Sequence, residues 1–197
     1  KPLLDAAIDL ANFKPDHCVI LQRPQSIVPL INSRDIDWKG WEEEAKPVDS
    51  VAVKATDPLY ILYTSGTTGK PKGIVRDNGG HAVALKYSMG AIYDVDAGDV
   101  FWAASDVGWV VGHSYIVYGP LLKGCVSILY EGKPVRTPDA GAFWRVVSEH
   151  RVKSFFVAPT AFRAMKKEDP NCRMKDQYDI SCLKYQFVAG ERLDPPT

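Results

Sequence analysis

The 197-residue chain has 46% apolar residues, enough to bury a core, and its 24 lysine and arginine residues balance 24 aspartate and glutamate residues. This balance gives no long-range field that would favour nucleic acid or an anionic membrane as a partner. The four cysteines lack CxxC spacing, so the sequence indicates neither a metal site nor a secreted disulfide framework.

Segments of helical and strand character alternate along the chain, beginning with a helix predicted at 2–11 and a strand at 18–21. Residues 25–55 show no sustained periodicity and are interpreted as a surface connection. Further strands are predicted at 60–64, 73–76, 100–103, 126–130, 152–158 and 185–189. Further helices are predicted at 80–93, 113–122 and 160–167, and another after Thr137, taken as its N-cap. The order predicts an α/β fold with a mostly parallel sheet flanked by helices.

The most apolar stretch, residues 107–122, is interrupted by His113, Ser114, Pro120 and several glycines. It is too short and too polar to cross a bilayer as a helix. We therefore expect no membrane span in this chain.

A loop rich in glycine, hydroxyl groups and lysine follows the strand predicted at 60–64. Its glycines permit the positive φ angles that turn successive N–H groups toward one anion, and its hydroxyls and lysines add donors and charge. Ligands of open α/β sheets bind beyond the carboxyl ends of strands, where this loop falls if its strand is central. The expected guest is polyphosphate. The candidate ligands are Thr64, Ser65, Gly66, Thr67, Thr68, Gly69, Lys70 and Lys72.

The loop is not a Walker A motif. That motif needs four residues between its first glycine and the Gly-Lys pair, followed by serine or threonine. Here only two residues separate Gly66 from Gly69, and Pro71 follows Lys70. The alternative for the loop is a turn without a chemical role.

The run TSGTTGKPKG at 64–73 resembles the phosphate loop of the adenylate-forming superfamily, which includes acyl-CoA synthetases, luciferases and peptide-synthetase adenylation domains. Blocks 76–85 and 105–118 resemble its short-chain branch, closest to propionyl-CoA synthetases. The resemblance spans most of residues 57–194 and is weak over the first fifty. It implies that residues 1–197 are a single partial domain, part of the large AMP-binding domain. The C-terminal lid domain, with the family's catalytic lysine, would lie outside this chain.

The resemblance also implies the ligands: ATP, Mg²⁺, coenzyme A and a small carboxylate, with no metal ligand identified in this chain. Gly190, Glu191 and Arg192 match a tripeptide that lies against adenine, and the alternative is a plain strand-end turn. Four residues match the border of the acyl pocket, and the alternative is core packing. They are Trp109, Val110, Val111 and Ala189.

The acyl preference follows from two of these positions. Acetate-specific relatives tend to have threonine in place of Val111 and valine in place of Ala189. Alanine at one wall leaves room for one more methylene, so propionate is the expected substrate, with acetate and butyrate behind it.

Other candidate residues have simpler roles. His113 and Ser114 are neighbours that point about 100° apart on a helix, and no G-x-S-x-G elbow is present, so a hydrolase is disfavoured. His113 is interpreted as a structural or supporting residue, and Asp106 as a ligand, an orienting group or a turn cap.

Two rival functions stay open: a P-loop-type NTPase and a non-catalytic nucleotide-binding module. A peptide-synthetase adenylation domain is disfavoured, since no aspartate that would anchor an amino acid is recognisable. The resemblance favours the mitochondrial matrix, with the cytoplasm as the alternative, and implies that the fragment alone is inactive. The sequence does not indicate an oligomeric state.

Overall fold

The computed structural model describes residues 1–64 and 69–197, and the chain divides into two compact units, Lys1–Ala52 and Val53–Thr197. The first unit contains helix α1 (Pro2–Leu10), strand β1 (Cys18–Ile20), strand β2 (Asp35–Asp37) and helix α2 (Trp38–Glu43). Strands β1 and β2 pair in parallel. The predictions of α1 and β1 are confirmed.

The interpretation of residues 25–55 as a surface connection is wrong in part, because β2 and α2 lie there. Strand β2 has three residues, too few to show a period of two. Helix α2 is capped by Asp37, whose carboxylate accepts a hydrogen bond from the Lys39 N–H at 2.9 Å. Helix α2 is too short for its apolar residues to show a helical period in the sequence.

An ion-pair network ties α1 to the start of β2. The buried Asp35 carboxylate lies 2.7 Å from Arg34 Nε and 2.8 Å from Lys1 Nζ, and it accepts from the Ile31 N–H at 2.9 Å. Hydrogen bonding to Arg34 is the main reason why the pKa of Asp35 lies well below its usual value. These bonds satisfy the buried Asp35 carboxylate and hold Lys1, Arg34 and Ile31 around it.

The second unit is built on a parallel sheet of four strands in the order β6-β5-β7-β8. Their bounds are β5 Val100–Ala104, β6 Val126–Ser127, β7 Ser154–Val157 and β8 Tyr185–Val188. A separate antiparallel pair consists of β3 (Pro58–Thr64) and β4 (Lys72–Asp77).

The helices of this unit occupy the connections between strands. They are α3 Asn78–Ala91, α4 Val110–Gly112, a π-helix His113–Tyr118, α5 Gly119–Lys123, α6 Ala142–Glu149, α7 Pro159–Glu168 and a 3-10 turn Arg173–Gln177. The segments α4, the π-helix and α5 follow one another without a break. No helix in the described ranges is long and apolar enough to traverse a lipid bilayer.

Each face of the parallel sheet is covered by helices. Trp102 and Phe155 stack at 4.8 Å between ring centroids and pack against α6 and α7. Phe101 and Phe156, which alternate with them along the strands, pack on the other face against Met89 of α3 and Ile116 of the π-helix. This arrangement confirms the predicted α/β fold with a parallel sheet flanked by helices.

Two details of the prediction are wrong. The strand at 60–64 is not a central parallel strand: it belongs to β3, which pairs only with β4 in the described chain. Thr137 does not cap a helix, because its hydroxyl donates to the Lys133 carbonyl at 2.6 Å and α6 begins only at Ala142. The intervening turn is held by Asp139, which accepts from the Gly141 N–H at 2.7 Å.

Candidate functional site

The carboxyl edge of the parallel sheet gathers three chain segments. In the sheet register, Ala104 of β5 pairs with Val157 of β7, which pairs with Val188 of β8. Because the three strands are parallel and end in register, the residues that follow them leave the sheet at one edge. Open α/β sheets bind ligands at this edge.

The strand order singles out one place along that edge. The chain leaves β5 toward β6 on one side, whereas it leaves β7 toward β8 on the other side. Adjacent strands whose connections diverge in this way leave a crevice between their loops. The fold therefore places a candidate binding crevice between the segments that follow Ala104 and Val157.

The segment after β5 contains three of the predicted acyl-pocket residues. Asp106 accepts a hydrogen bond from the Gly108 N–H at 2.7 Å, so its observed role is to cap the turn. A Cβ at Gly112 would lie 2.6 Å from Cα of Val107, so glycine allows the turn to fold back on the helix. Trp109 is 67% exposed and Val110 40% exposed, which argues against core packing for these two. Val111 is half-buried and packs at the margin of the core.

The segment after β8 contains the fourth acyl-pocket residue and the adenine tripeptide. Ala189 is exposed. Gly190 has φ +100° with no atom within 4 Å of a Cβ built there, so backbone conformation and not crowding requires glycine. Glu191 and Arg192 follow, both exposed. The structure thus brings residues 109–111 and 189–192 to the same edge of the sheet.

The predicted phosphate loop joins the two strands of the β3–β4 hairpin, where Thr64 pairs with Lys72. Ser65, Gly66, Thr67 and Thr68 lie outside the described residues. Gly69 has φ +83°, which fits the expected positive φ angles. Thr64, Lys70 and Lys72 are exposed, as ligands of a free anion must be.

An aromatic cluster connects this hairpin to the helical segment after Trp109. The Tyr60 ring of β3 lies 5.2 Å from the His113 ring and stacks on Tyr118 at 5.8 Å, both in the π-helix. Its hydroxyl lies 3.3 Å from Nε2 of His81 in α3. His113 in turn places Nδ1 3.0 Å from the Trp109 carbonyl oxygen. The supporting role predicted for His113 agrees with these contacts.

Sequence reasoning missed three members of this cluster: Tyr60, His81 and Tyr118. The available sequence signal was helical spacing, since His81 shares the buried face of α3 with Leu85 and Met89. Burial lowers the pKa of His81, and the nearby Arg76 charge lowers it further. A neutral imidazole beside a phenol suits a structural link between elements better than proton transfer.

A cavity of about 590 Å³ opens on the sheet face covered by α6 and α7. Trp144, Phe162, Met165 and Leu193 contribute apolar walls, and Lys166 and Asp169 contribute charge. Within the described ranges, none of the predicted phosphate, adenine or acyl residues lines it. Val188 and Leu193, which flank residues 189–192, do line it, so the cavity adjoins the segment that follows β8.

The described part of the chain contains no group of three or more His, Cys, Asp or Glu side chains that could hold a metal ion.

Comparison with known proteins decides the family. The family model described as AMP-binding enzyme matches residues 5–197. The chain belongs to the AMP-binding enzyme family. The match includes the first unit, where the resemblance read from motifs was weak.

Several members of curated families are similar to this chain along the whole length of the chain. It is 59% identical over 197 residues to an uncharacterized protein of Pseudomonas aeruginosa. It is 54% identical over 197 residues to the mitochondrial acyl-CoA synthetase short-chain family member 3 of Rattus norvegicus. It is 45% identical over 199 residues to the propionate-CoA ligase of Salmonella typhimurium. The matches cover 100% of this chain but only 29–31% of each relative.

Proposed function

We propose that the full-length protein is an AMP-forming acid-thiol ligase, a short-chain acyl-CoA synthetase, with propionate as its favoured substrate. One observation carries the proposal: the segments matched to acyl and adenine contacts leave the sheet at the same edge, after β5 and β8. The names of two relatives, an acyl-CoA synthetase and a propionate-CoA ligase, support it.

The nucleotide would be held at two places. Gly190, Glu191 and Arg192 would lie along the adenine, where the absence of a Cβ at Gly190 allows close approach. The hairpin loop would enclose the β- and γ-phosphates with backbone N–H groups, hydroxyls and the exposed Lys70 and Lys72. By resemblance, the loop ligands are Thr64, Ser65, Gly66, Thr67, Thr68, Gly69, Lys70 and Lys72.

The reaction then proceeds in two displacements. A carboxylate oxygen attacks the α-phosphorus of ATP, the bond to the β-phosphate bridging oxygen breaks, and pyrophosphate leaves with the electron pair. The coenzyme A thiol loses its proton to solvent, its sulfur attacks the acyl carbon, the bond from that carbon to the phosphate oxygen breaks, and AMP leaves with the electron pair. Donors of the loop stabilise the negative charge that shifts onto pyrophosphate in the first step.

Mg²⁺, when bound, would compensate phosphate charge. Mg²⁺ is usually held by one or two carboxylates together with substrate phosphates, so it does not need a cluster of acidic residues. The role of this chain is to position nucleotide and carboxylate, since in phosphoryl chemistry positioning and charge compensation supply most of the rate.

We expect propionate as the favoured substrate because of the size of the proposed acyl pocket. Ala189 leaves space that valine would fill, and Val111 keeps that wall apolar, whereas threonine would add a hydroxyl. Trp109 and Val110 would complete the pocket. Acetate and butyrate are expected as poorer substrates.

The test is a panel of acetate, propionate, butyrate and hexanoate given to the full-length protein with ATP, Mg²⁺ and coenzyme A. We expect coenzyme-A-dependent formation of AMP, with the highest kcat/KM for propionate. ADP formation without any carboxylate would indicate an NTPase instead. ATP binding without AMP formation would indicate a non-catalytic nucleotide-binding module.

Three further expectations belong to this proposal. Residues 1–197 alone should release pyrophosphate far more slowly than the full-length protein, and both units should be parts of one larger AMP-binding domain.

The mitochondrial matrix is the proposed location in a eukaryotic cell, and the name of the rat relative supports it. The cytoplasm is the proposed location in a bacterial cell, and the bacterial source of another relative supports this alternative. Cell fractionation distinguishes these locations.

A further inference from the structure

Arg163 of α7 contacts three residues of the segment that follows β8. Its Nη1 lies 2.9 Å from Oε1 of Glu191, and its Nε lies 3.0 Å from Oδ1 of Asp194. Its Nη2 donates to the Arg192 carbonyl at 2.8 Å. Each of the three guanidinium nitrogens is therefore engaged once.

We propose that Arg163 is a positioning residue for nucleotide binding, which holds the turn Gly190-Glu191-Arg192 in the shape that adenine requires. The inference rests on the proposed function only in that the turn contacts the adenine. In this proposal Arg163 acts on the nucleotide through the turn, since its contacts at Nη1, Nε and Nη2 are all with the segment that follows β8.

The turn has features that make such support necessary. Strand β8 ends at Val188, Gly190 has φ +100° in open space, and residues 189–192 are exposed. A glycine in open space adopts many conformations, so its neighbours must fix the chain. Leu193, the next residue after the turn, lines the same cavity as Phe162 of α7. Arg163 holds the polar groups on either side of Leu193, those of Glu191, Arg192 and Asp194.

Arginine suits this task and lysine does not. The guanidinium is planar, stays charged and presents donors in a fixed fork, so it can bond two carboxylates and a carbonyl together. A lysine ammonium is a point charge on a flexible stem and would not present its donors in a fixed planar fork. The Arg163 side chain is 37% exposed, so solvent weakens its ion pairs and its removal should cost little stability. The effect should appear in ligand affinity.

The test compares two ligands by calorimetry on the full-length protein: ATP, which carries adenine, and tripolyphosphate, which carries only the phosphates. In Arg163→Met we expect the Kd for ATP to rise about tenfold, because ATP binding must then order the turn, with tripolyphosphate affinity unchanged. Arg163→Lys should recover part of the loss. A structural role would weaken both ligands together and lower the melting temperature.

Arg145 provides the matched control. It lies on α6, its side chain is 36% exposed, and it pairs with Glu149 at 3.1 Å. Arg145→Met should leave the affinity for both ligands unchanged. The proposal is overturned if Arg163→Met binds ATP like the wild type, or if it weakens ATP and tripolyphosphate equally. If the wild type binds ATP but forms no AMP, the proposed function fails, while a selective loss of ATP affinity in Arg163→Met still supports this inference.

Discussion

The Tyr60 hydroxyl lies 3.3 Å from Nε2 of His81, and this contact joins β3 to α3. The Tyr60 ring also packs on His113 and Tyr118 of the π-helix. The hairpin that carries the phosphate loop is thereby attached to the helical segment that follows Trp109. This aromatic cluster thus links the hairpin of the phosphate loop to the segment that contains predicted acyl-pocket residues.

The buried His81 makes stability depend on pH. Its folded pKa lies below the value of about 6.5 expected in the unfolded chain, because burial and the Arg76 charge disfavour the imidazolium. As pH falls below about 6.5, the unfolded state takes up a proton that the folded state rejects, so the free energy of unfolding decreases until the folded pKa is passed. Above that range His81 adds no pH dependence.

Urea unfolding of wild type and His81→Gln between pH 8 and pH 5 checks this expectation. The variant should be less stable at pH 8, since it loses its contact with Tyr60, but should lose less stability on acidification. All other ionisable groups are common to both proteins, so the difference between the two pH profiles isolates the contribution of His81. Parallel pH profiles would show that His81 does not titrate as stated.

Gly69 and Gly98 form a matched pair for testing the phosphate loop. Both have positive φ, +83° and +88°, and neither has an atom within 4 Å of a Cβ built on it. Alanine at either position should cost about 1 kcal/mol of stability, because the left-handed region is unfavourable for L residues. Only Gly69→Ala should also weaken ATP binding, measured by calorimetry. Equal ATP affinity in the two variants would remove Gly69 from the site.

Acyl selectivity should respond to the size of residue 189. Ala189→Val fills the space of about one methylene, worth about 0.8 kcal/mol, so the ratio of kcat/KM for propionate to that for acetate should fall about fourfold. Adding Val111→Thr should lower the ratio further. Val83→Thr, on the exposed side of α3, is the control and should leave it unchanged. A ratio that stays constant in the double variant would exclude these residues from the pocket.

Two buried serines should respond to alanine in opposite directions. The Ser154 hydroxyl is fully buried, and no hydrogen-bond partner for it lies within residues 1–64 or 69–197. Ser88, also buried, donates to the Leu85 carbonyl at 2.9 Å and contacts the Tyr115 hydroxyl at 3.2 Å. Ser154→Ala should raise the free energy of unfolding by about 1 kcal/mol and Ser88→Ala should lower it by about as much. Thermal unfolding of both variants tests the pair; destabilisation by Ser154→Ala would point to a bound partner.

Sequence patterns predicted the strands of the parallel sheet well, because apolar residues dominate those segments. The parallel strands carry buried apolar runs such as 155–157 of β7, and their alternation with helices indicated the sheet. The antiparallel pairing of β3 could not be predicted from the sequence. Residues 60–63 form a continuous apolar run without a period of two, and such a run is compatible with a buried parallel strand as well as with one strand of a hairpin. Thr137 matched a capping pattern, but its hydroxyl bonds Lys133 instead.

The sequence could propose site residues that lie close together in the chain, but it could not indicate contacts between distant residues. The glycines and lysines of residues 64–73 lie together in the chain and are visible as a motif. The contact between Tyr60 and His81 and that between Arg163 and Glu191 each join separate elements. Only the fold brings such pairs together, so composition and spacing carry no trace of them.

The central claim is that the loop between β3 and β4 holds the terminal phosphates of ATP while the turn after β8 holds the adenine. Amide hydrogen exchange of the full-length protein, measured without ligand, with AMP and with ATP, tests it directly. Slower exchange at 189–192 with either nucleotide, and at 64–72 only with ATP, is the predicted result. Unchanged exchange at 64–72 in the presence of saturating ATP would contradict the claim.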